Sequence, residues 1–301
     1  EKKVYIRAGR ALTLKQVENW RMNTKIGMNM LLWGIETTPR SIPIFEGLAE
    51  AGFDGVEIPL VGQSEQQLKE MAAACDSLGL ERTSSAFVGL DTNPVSSDPA
   101  IRKAALENLM RAIDDANTIG STMVIGGLYQ AHKYFTGTAA TSDEWNWSAE
   151  HLHAAGEYAA QSGVSLGLEF LNRFEVFLIC TSADCKRMVE QVGLDNVGVH
   201  YDTHHANIED PAPELALNNI KEQLNHVHLS ESHRGSLGTG QVDWAANFAA
   251  LKAIDYSGWL VIEAFGTSDS ELAGAANVWR NAFSSPEEVY REGIRFIKDW
   301  L

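Results

Sequence analysis

Eight short apolar runs rich in β-branched residues recur along the chain, and each is followed by a longer segment with helical periodicity. This alternation is typical of parallel strands joined by crossover helices, and eight such strands close a (β/α)8 barrel. We therefore predict an α/β fold, a single TIM-barrel domain with an additional C-terminal helix. The predicted strands are residues 25–33, 55–60, 80–87, 122–128, 165–171, 196–202, 224–231 and 259–265.

Three of the intervening segments carry recognisable helix starts. Segment 97–120 opens with Ser97 or Asp98 as a cap before Pro99 and ends at Gly120, which is the usual order of helix signals. Segments 209–224 and 285–301 also open with prolines. We expect the last of them to be the additional helix, covering the floor or the side of the barrel.

The connection after the fourth predicted strand breaks this regular pattern. Residues 129–151 are aromatic and polar, and the segment is longer than the two to six residues that are typical of such a loop. Loops in this position lie at the catalytic mouth of a barrel. We therefore interpret it as part of a lid or wall over the substrate.

Composition excludes several classes of partner and compartment. The net charge of −16 repels polyanions, and the chain lacks the Lys/Arg cluster that a nucleic-acid surface needs. It also has no long apolar span and no signal peptide. Three scattered cysteines, Cys75, Cys180 and Cys185, fit a reducing compartment rather than a disulfide framework. We predict a soluble cytoplasmic protein with no nucleic-acid or membrane partner.

The first 21 residues differ from the rest. They are rich in Lys and Arg in an otherwise acidic chain, and Met22 directly precedes the first strand-like run. We interpret residues 1–21 as an N-terminal extension of either native or expression-vector origin and exclude it from the fold argument. The barrel domain is then predicted to span residues 22–301.

Ionisable side chains stand at the ends of four consecutive predicted strands, five to eight. The stretch "GVHYDTHHANIED" places Asp202 at the end of its strand, on the same face as His200, because side chains alternate along a strand. A single acidic residue at a strand end is commonly a helix-cap partner, but four together at one depth are harder to explain structurally. The four are Glu169, Asp202, His228 and Glu263.

Two Glu, one Asp and one His form an oxygen-rich set that needs a divalent cation in an enclosed mouth. Such ligation favours Mn²⁺, with Co²⁺ or Mg²⁺ as alternatives, over a closed structural Zn²⁺ site. His226 shares the face of His228 but lies two residues deeper, and we interpret it as a core histidine or a partner of the ligands. We interpret His204 as a hydrogen-bonded group near the surface or behind the ligands.

Several motifs resemble the D-tagatose and D-psicose (allulose) 3-epimerase family, the ketose 3-epimerases among the xylose-isomerase-like TIM barrels. They are "LEFLNRFE", "VHYDTHHANIED", "HVHLSESHRGSLGTGQVDW", "VIEAF" and "VWRN", and the resemblance covers Met22 to the C-terminus. It implies that Glu169, Asp202, His228 and Glu263 bind the metal. It also implies that Glu175, His205 and Arg234 hold the sugar, and that the protein is a homodimer or homotetramer.

The chemistry of this set predicts a mechanism. A cation that chelates the C2 and C3 oxygens of a ketose acidifies the C3 hydrogen, because it stabilises the enediolate that remains. One carboxylate removes the proton and another returns a proton to the opposite face. We assign Glu169 and Glu263 as this acid/base pair; the sequence does not decide which acts first.

Some positions depart from the family pattern and leave the substrate open. Met30 stands where the family usually presents a tyrosine, and Cys180 where an asparagine is expected. The alternative enzyme is an aldose-ketose or hydroxypyruvate-type isomerase on the same scaffold. A barrel endonuclease conflicts with the negative charge, and a non-catalytic sugar-binding relative conflicts with retention of the whole residue set.

Overall fold

The computed structural model describes the backbone of residues 3–5 and 11–13 and all of residues 24–301. The two short segments, Lys3–Tyr5 and Ala11–Thr13, pair as antiparallel strands outside the barrel. The remaining part of the 1–21 extension lies outside the described residues, so its origin stays a prediction.

Eight parallel strands close into one barrel, in which the eighth strand pairs with the first. The prediction of a TIM barrel is confirmed. Neighbouring strands follow one another in chain order around the barrel, so the carboxyl ends of all eight open on the same rim. The strands are β1 Lys25–Asn29, β2 Gly55–Pro59, β3 Glu81–Ser85, β4 Met123–Gly126, β5 Ser165–Glu169, β6 Val197–Asp202, β7 Leu224–Leu229 and β8 Trp259–Ile262.

The first strand is shorter than predicted. Instead of continuing to residue 33, β1 ends at Asn29, and Met30–Trp33 form a 3-10 turn. The cause is local: Asn29 Oδ1 accepts a hydrogen bond from the Leu31 amide at 2.8 Å and caps the turn. Because strand alternation stops there, Met30 is buried in the core and Leu31 faces the barrel mouth.

Ten α-helices lie within the described residues. The predicted start of the third helix is confirmed, because Asp98 accepts from the Ala100 amide, Pro99 is the first helical residue and Gly120 ends the helix with φ +75°. They are α1 Ile42–Ala51, α2 Glu65–Leu78, α3 Pro99–Ile119, α4 Ser142–Ala160, α5 Ser182–Val192, α6 Thr203–Glu209, α7 Pro213–Ile220, α8 Trp244–Ala253, α9 Ser270–Ala275 and α10 Pro286–Trp300.

Two further predicted boundaries are wrong. The predicted 129–151 loop is too long, since its second half is the start of α4; Thr141 and Glu144 form a capping box there, a signal visible in the sequence. The segment predicted to begin at residue 209 begins as α7 at Pro213, because Glu209 ends the separate short helix α6 that follows β6. Of the segment 129–151, the part before α4 lines the cavity at the mouth, with Gln130 and His132.

The additional C-terminal helix α10 covers the side of the barrel. Its Tyr290 contacts the rings of Trp33 and Phe53 near α1, and Trp300 stacks on Phe248 of α8 with ring centroids 5.3 Å apart. Helix α10 therefore closes the ring of helices between its first and last members. No helix in the described part of the chain combines the length and the apolar character needed to cross a membrane.

Candidate active site and metal centre

The four predicted ligand residues converge at the carboxyl rim. Glu169 and Asp202 are the last residues of β5 and β6, His228 is the last but one of β7, and Glu263 directly follows β8. All four are buried, and one ligand atom from each lies within 4.8 Å of the others. Barrel closure thus brings together residues that are up to 94 positions apart, as the strand positions predicted.

Arg234 neutralises part of the negative charge in this group. Its Nη1 donates to Asp202 Oδ2 at 2.8 Å and to Glu263 Oε2 at 2.7 Å. The residue has φ +61°, an uncommon conformation for a residue with a side chain. The conformational free energy that this backbone conformation costs is offset by the hydrogen bonds of the guanidinium to two buried carboxylates.

Burial and neighbouring charges separate the pKa values of the three carboxyl groups. Burial, reinforced by Glu263, raises the pKa of Glu169 well above its usual range. Burial also raises the pKa of Asp202 to about 6, although Arg234 opposes it. For Glu263 burial is outweighed by His228 and Arg234, which lower its pKa to about 2. A compact carboxylate group of this kind is suited to hold a divalent cation.

His228 is fixed from below by Glu57, a residue that the sequence reasoning missed. His228 Nε2 lies 2.6 Å from Glu57 Oε1, and its Nδ1 lies 3.4 Å from Glu263 Oε1. Although burial opposes the charged imidazole, Glu57 and Glu263 raise the pKa of His228 well above its usual range. The signal in the sequence was a glutamate inside the apolar run "GVEIPL".

The three residues assigned to the sugar by resemblance also lie together. Glu175 Oε1 accepts from Asn172 Nδ2 at 2.7 Å, and its Oε2 is 3.1 Å from His132 Nε2. His205 Nδ1 accepts from the backbone amide of Asn172 at 3.0 Å. Arg234 Nη2 lies 2.8 Å from His205 Nε2. Glu175, His205 and Arg234 therefore converge next to the four ligand residues.

Neither of the two histidines that we assigned to supporting positions lines the cavity above Glu169 and Glu263, although His204 lines a second cavity next to Glu175 and Arg234. His226 is fully buried, with Nε2 2.9 Å from Glu57 Oε2. His204 places Nδ1 3.2 Å from the carbonyl oxygen of Glu231, and burial lowers its pKa to about 3. His200 is also fully buried, with its ring centroid 4.1 Å from that of His228.

A cavity of about 260 Å³ opens over this group. Its floor is polar, with Glu169, Glu263 and Arg234, whereas its outer wall is apolar. Neither Met30 nor Cys180 lines it: Met30 is in the core, and half-buried Cys180 directs Sγ to the Val176 carbonyl. The apolar wall includes Leu31, Phe87, Leu171, Phe265 and Leu272.

Comparison with known proteins identifies the family. Residues 45–300 match the family model described as xylose isomerase-like TIM barrel. The chain is 33% identical over 280 residues to the ketose 3-epimerase of Arthrobacter globiformis, covering 92% of this chain and 96% of that protein. This chain belongs to the ketose 3-epimerases. It is therefore an isomerase that belongs to a sugar 3-epimerase family.

Other ketose 3-epimerases match to a similar extent. The L-ribulose 3-epimerase of a Methylomonas species is 32% identical over 254 residues, which cover 84% of this chain and 88% of that protein. The crystal structure of D-allulose 3-epimerase from Methylomonas sp. in complex with D-allulose has a TM-score of 0.87 and 30% identity, covering 93% of this chain and 98% of that chain. These matches thus extend over most of the chain.

Proposed function

We propose that this chain is a metal-dependent ketose 3-epimerase that inverts C3 of an unphosphorylated ketose, with Glu169 and Glu263 as the acid/base pair. The observation that carries the proposal is the placement of these two carboxylates in one buried group at the mouth. Glu169 is on β5 and Glu263 directly follows β8, and strands β6 and β7 lie between β5 and β8 in the barrel. The two carboxylates can therefore approach one carbon atom from different sides.

The donor set fits a divalent cation. Three buried carboxylates in one group are unfavourable without a compensating charge, and Arg234 supplies only one. Within the described residues Nδ1 of His228 makes no hydrogen bond, so a cation that displaces its proton would meet no competing hydrogen-bond partner there. Glu169, Asp202, His228 and Glu263 would hold the ion, and we expect Mn²⁺, with Co²⁺ or Mg²⁺ as alternatives. When bound, it would stabilise the charge that develops on the ketose oxygens as C3 loses its proton.

Proton movement is assigned to the chain's own carboxylates. One of Glu169 and Glu263 accepts the C3 proton of the ketose, and the other donates a proton to the opposite face of C3. The order follows from the C3 configuration of the ketose, because each carboxylate reaches only one face. The reverse reaction exchanges their roles.

Two hydrogen-bond donors that face each other, one on His205 and one on Arg234, support the role of these residues in holding the sugar. His205 Nδ1 accepts from the Asn172 amide, so a neutral ring carries its proton on Nε2. Burial and the nearby Arg234 keep the pKa of His205 well below its usual range, which favours the neutral ring. Two donors, His205 Nε2 and Arg234 Nη2, then face each other at 2.8 Å. A ketose oxygen near them could accept from both.

The charge of the cavity supports an unphosphorylated substrate. Glu169, Glu175 and Glu263 line it, and the guanidinium of Arg234 is already paired with two carboxylates. A phosphate dianion would meet more negative than positive charge there. The apolar outer wall also offers no set of donors for a phosphate.

We propose a homodimer or homotetramer, and light scattering coupled to size-exclusion chromatography measures the mass. Exposed aromatic side chains beside the mouth, Phe174 and Trp279, are compatible with a subunit interface.

Deuterium incorporation tests the function directly. The protein is incubated with Mn²⁺ in D₂O, and D-tagatose, D-fructose, D-psicose and L-ribulose are followed by NMR. We expect deuterium at C3 together with formation of the 3-epimer. Deuterium at C1 with formation of an aldose would instead assign an aldose-ketose isomerase. Absence of exchange from every ketose tested, including L-ribulose, would contradict the proposal.

A further inference from the structure

We propose that Glu57 is a positioning residue that orients the metal-binding side of the site: it sets the tautomer of His228 directly and the carboxylate of Glu263 through Asn29. The inference rests on the proposed function, because it assigns His228 and Glu263 to one metal site. Glu57 lies on β2, a strand that contributes none of the four ligand residues.

Glu57 is buried completely and is surrounded by donors. Its Oε1 accepts from Asn29 Nδ2 at 2.9 Å and lies 2.6 Å from His228 Nε2. Its Oε2 accepts from the Thr83 hydroxyl at 2.9 Å and lies 2.9 Å from His226 Nε2. An isolated carboxylate is costly in a barrel interior, but here both oxygens are satisfied. The carboxylate is therefore held in one orientation.

This orientation decides which nitrogen of His228 can bind a cation. An ionised carboxylate has no hydrogen to donate, so the short Glu57 contact requires the proton of His228 to be on Nε2. A neutral ring then has its lone pair on Nδ1, and Nδ1 is the nitrogen that faces Glu263 at 3.4 Å. A carboxylate behind a ligating histidine fixes the tautomer and the ring orientation in this way.

A second connection reaches Glu263. Asn29 Nδ2 donates to Glu57 Oε1 at 2.9 Å and to Glu263 Oε1 at 3.1 Å. Asn29 is itself fixed, because its Oδ1 accepts from the Leu31 amide at 2.8 Å. Glu57 and Asn29 thus form one rigid layer under two of the four ligand residues, while Arg234 holds Glu263 from the other oxygen.

Metal affinity in the absence of sugar tests this role without using turnover. Metal-free protein is titrated with Mn²⁺, and free Mn²⁺ is measured by electron paramagnetic resonance. Glu57→Gln keeps the size of the side chain but removes the charge, and we expect it to raise the Kd for Mn²⁺ about 10–100-fold. Thr83→Val removes only one hydrogen bond to the far oxygen, so its effect is expected to be smaller.

Tyr201→Phe is the matched control. Tyr201 is fully buried next to Asp202 on β6, but its hydroxyl donates to Asn247 Oδ1 at 2.8 Å and makes no hydrogen bond to the ligand group. Losing that buried hydrogen bond lowers stability and is expected to leave the Kd for Mn²⁺ unchanged. An unchanged Kd in Glu57→Gln as well would overturn the inference, whereas failure of the wild type to bind Mn²⁺ would overturn the proposed metal site itself.

A measurement on the wild type makes the test independent of folding in the variants. The protein is labelled with ¹⁵N and loaded with Mg²⁺, and long-range ¹H–¹⁵N correlations of the histidine rings are recorded, with His228→Asn to assign the signals. We expect His228 to carry its proton on Nε2 only. A proton on Nδ1 would contradict the role of Glu57, whatever the variants do.

Discussion

Arg234 and Glu263 form a buried ion pair, in which Nη1 of the guanidinium donates to Oε2 of the carboxylate at 2.7 Å. The same Nη1 donates to Asp202 Oδ2 at 2.8 Å, so one cationic group serves two of the residues assigned to the metal. The arginine and a bound cation would therefore stabilise the same negative charges. Their contributions to stability should depend on each other.

Replacing Arg234 by Met tests this coupling. Removing one partner from a buried ion pair leaves an uncompensated charge and costs about 3–5 kcal/mol, so Arg234→Met is expected to lower Tm strongly in EDTA. Mn²⁺ should then raise Tm more in the variant than in the wild type. Lys69→Met is the control, because Lys69 pairs with Glu65 and both side chains are exposed, so this ion pair contributes about 1 kcal/mol or less. Equal Mn²⁺-induced shifts in all three proteins would refute the coupling.

Replacing Glu169 and replacing Glu263 should have different effects on the two epimers of the ketose. At saturating Mn²⁺, Glu169→Gln and Glu263→Gln are each expected to lower kcat for epimerisation about 10²–10⁴-fold. Each variant keeps one carboxylate, so each should retain C3 deuterium exchange for only one of the two epimers, measured by NMR in D₂O. Glu144→Gln, a buried helix-capping carboxylate of α4, is the control. Wild-type turnover in either site variant would argue against the two-carboxylate mechanism.

Glu175 should contribute to sugar binding rather than to metal binding. Burial opposes its ionisation, but His132 and Arg234 lower the pKa of Glu175, so a charged acceptor faces the cavity. Hydrogen bonds to charged groups contribute about 1.5–3 kcal/mol, and Glu175→Gln is expected to raise KM about 10–100-fold. The Kd for Mn²⁺ should not change. A loss of Mn²⁺ binding with KM preserved would reverse this assignment; Glu209→Gln, outside the cavity, is the control.

Because His151 is buried, we expect the free energy of unfolding to decrease in mild acid. Burial lowers the pKa of His151 in α4 from 6.5 to about 4, although the Leu128 carbonyl favours the charged ring. Between pH 6.5 and pH 4, His151 is therefore protonated in the unfolded chain but neutral in the folded protein. The stability contributed by the neutral ring is complete above pH 6.5 and is lost as pH falls toward 4, by up to about 3 kcal/mol.

Urea unfolding at pH 7.5 and pH 5.5 measures this effect. His151→Gln should lose less unfolding free energy between the two pH values than the wild type, with an expected difference of about 1 kcal/mol. His153→Gln, at a half-exposed position on the same helix, should behave like the wild type. Identical pH dependence in all three proteins would count against a neutral buried His151.

The convergence of the four proposed ligand residues could be predicted because barrel topology does much of the positioning. Parallel strands deliver their carboxyl ends to one rim, so Glu169, Asp202 and His228 were expected to be neighbours from their places in the apolar runs. Helix signals were equally local: Asp98, Pro99 and Gly120 gave the limits of α3. The capping box at Thr141 was just as local, but the prediction of a long loop overlooked it.

The sequence by itself determined the eight-strand pattern, the helix caps and the four rim residues, because each depends on neighbours along the chain or on topology. Only the tertiary structure decided which polar side chains lie beneath that rim. Asn29 contacts Glu263, 234 residues away, and Glu57 contacts His228, 171 residues away. Periodicity predicts the face of a strand on which a side chain lies but not which side chain it contacts across the barrel. Because a 3-10 turn follows Asn29, Leu31 rather than Met30 lines the cavity. Closure of β8 on β1 and the packing of buried donors and acceptors therefore decided these contacts.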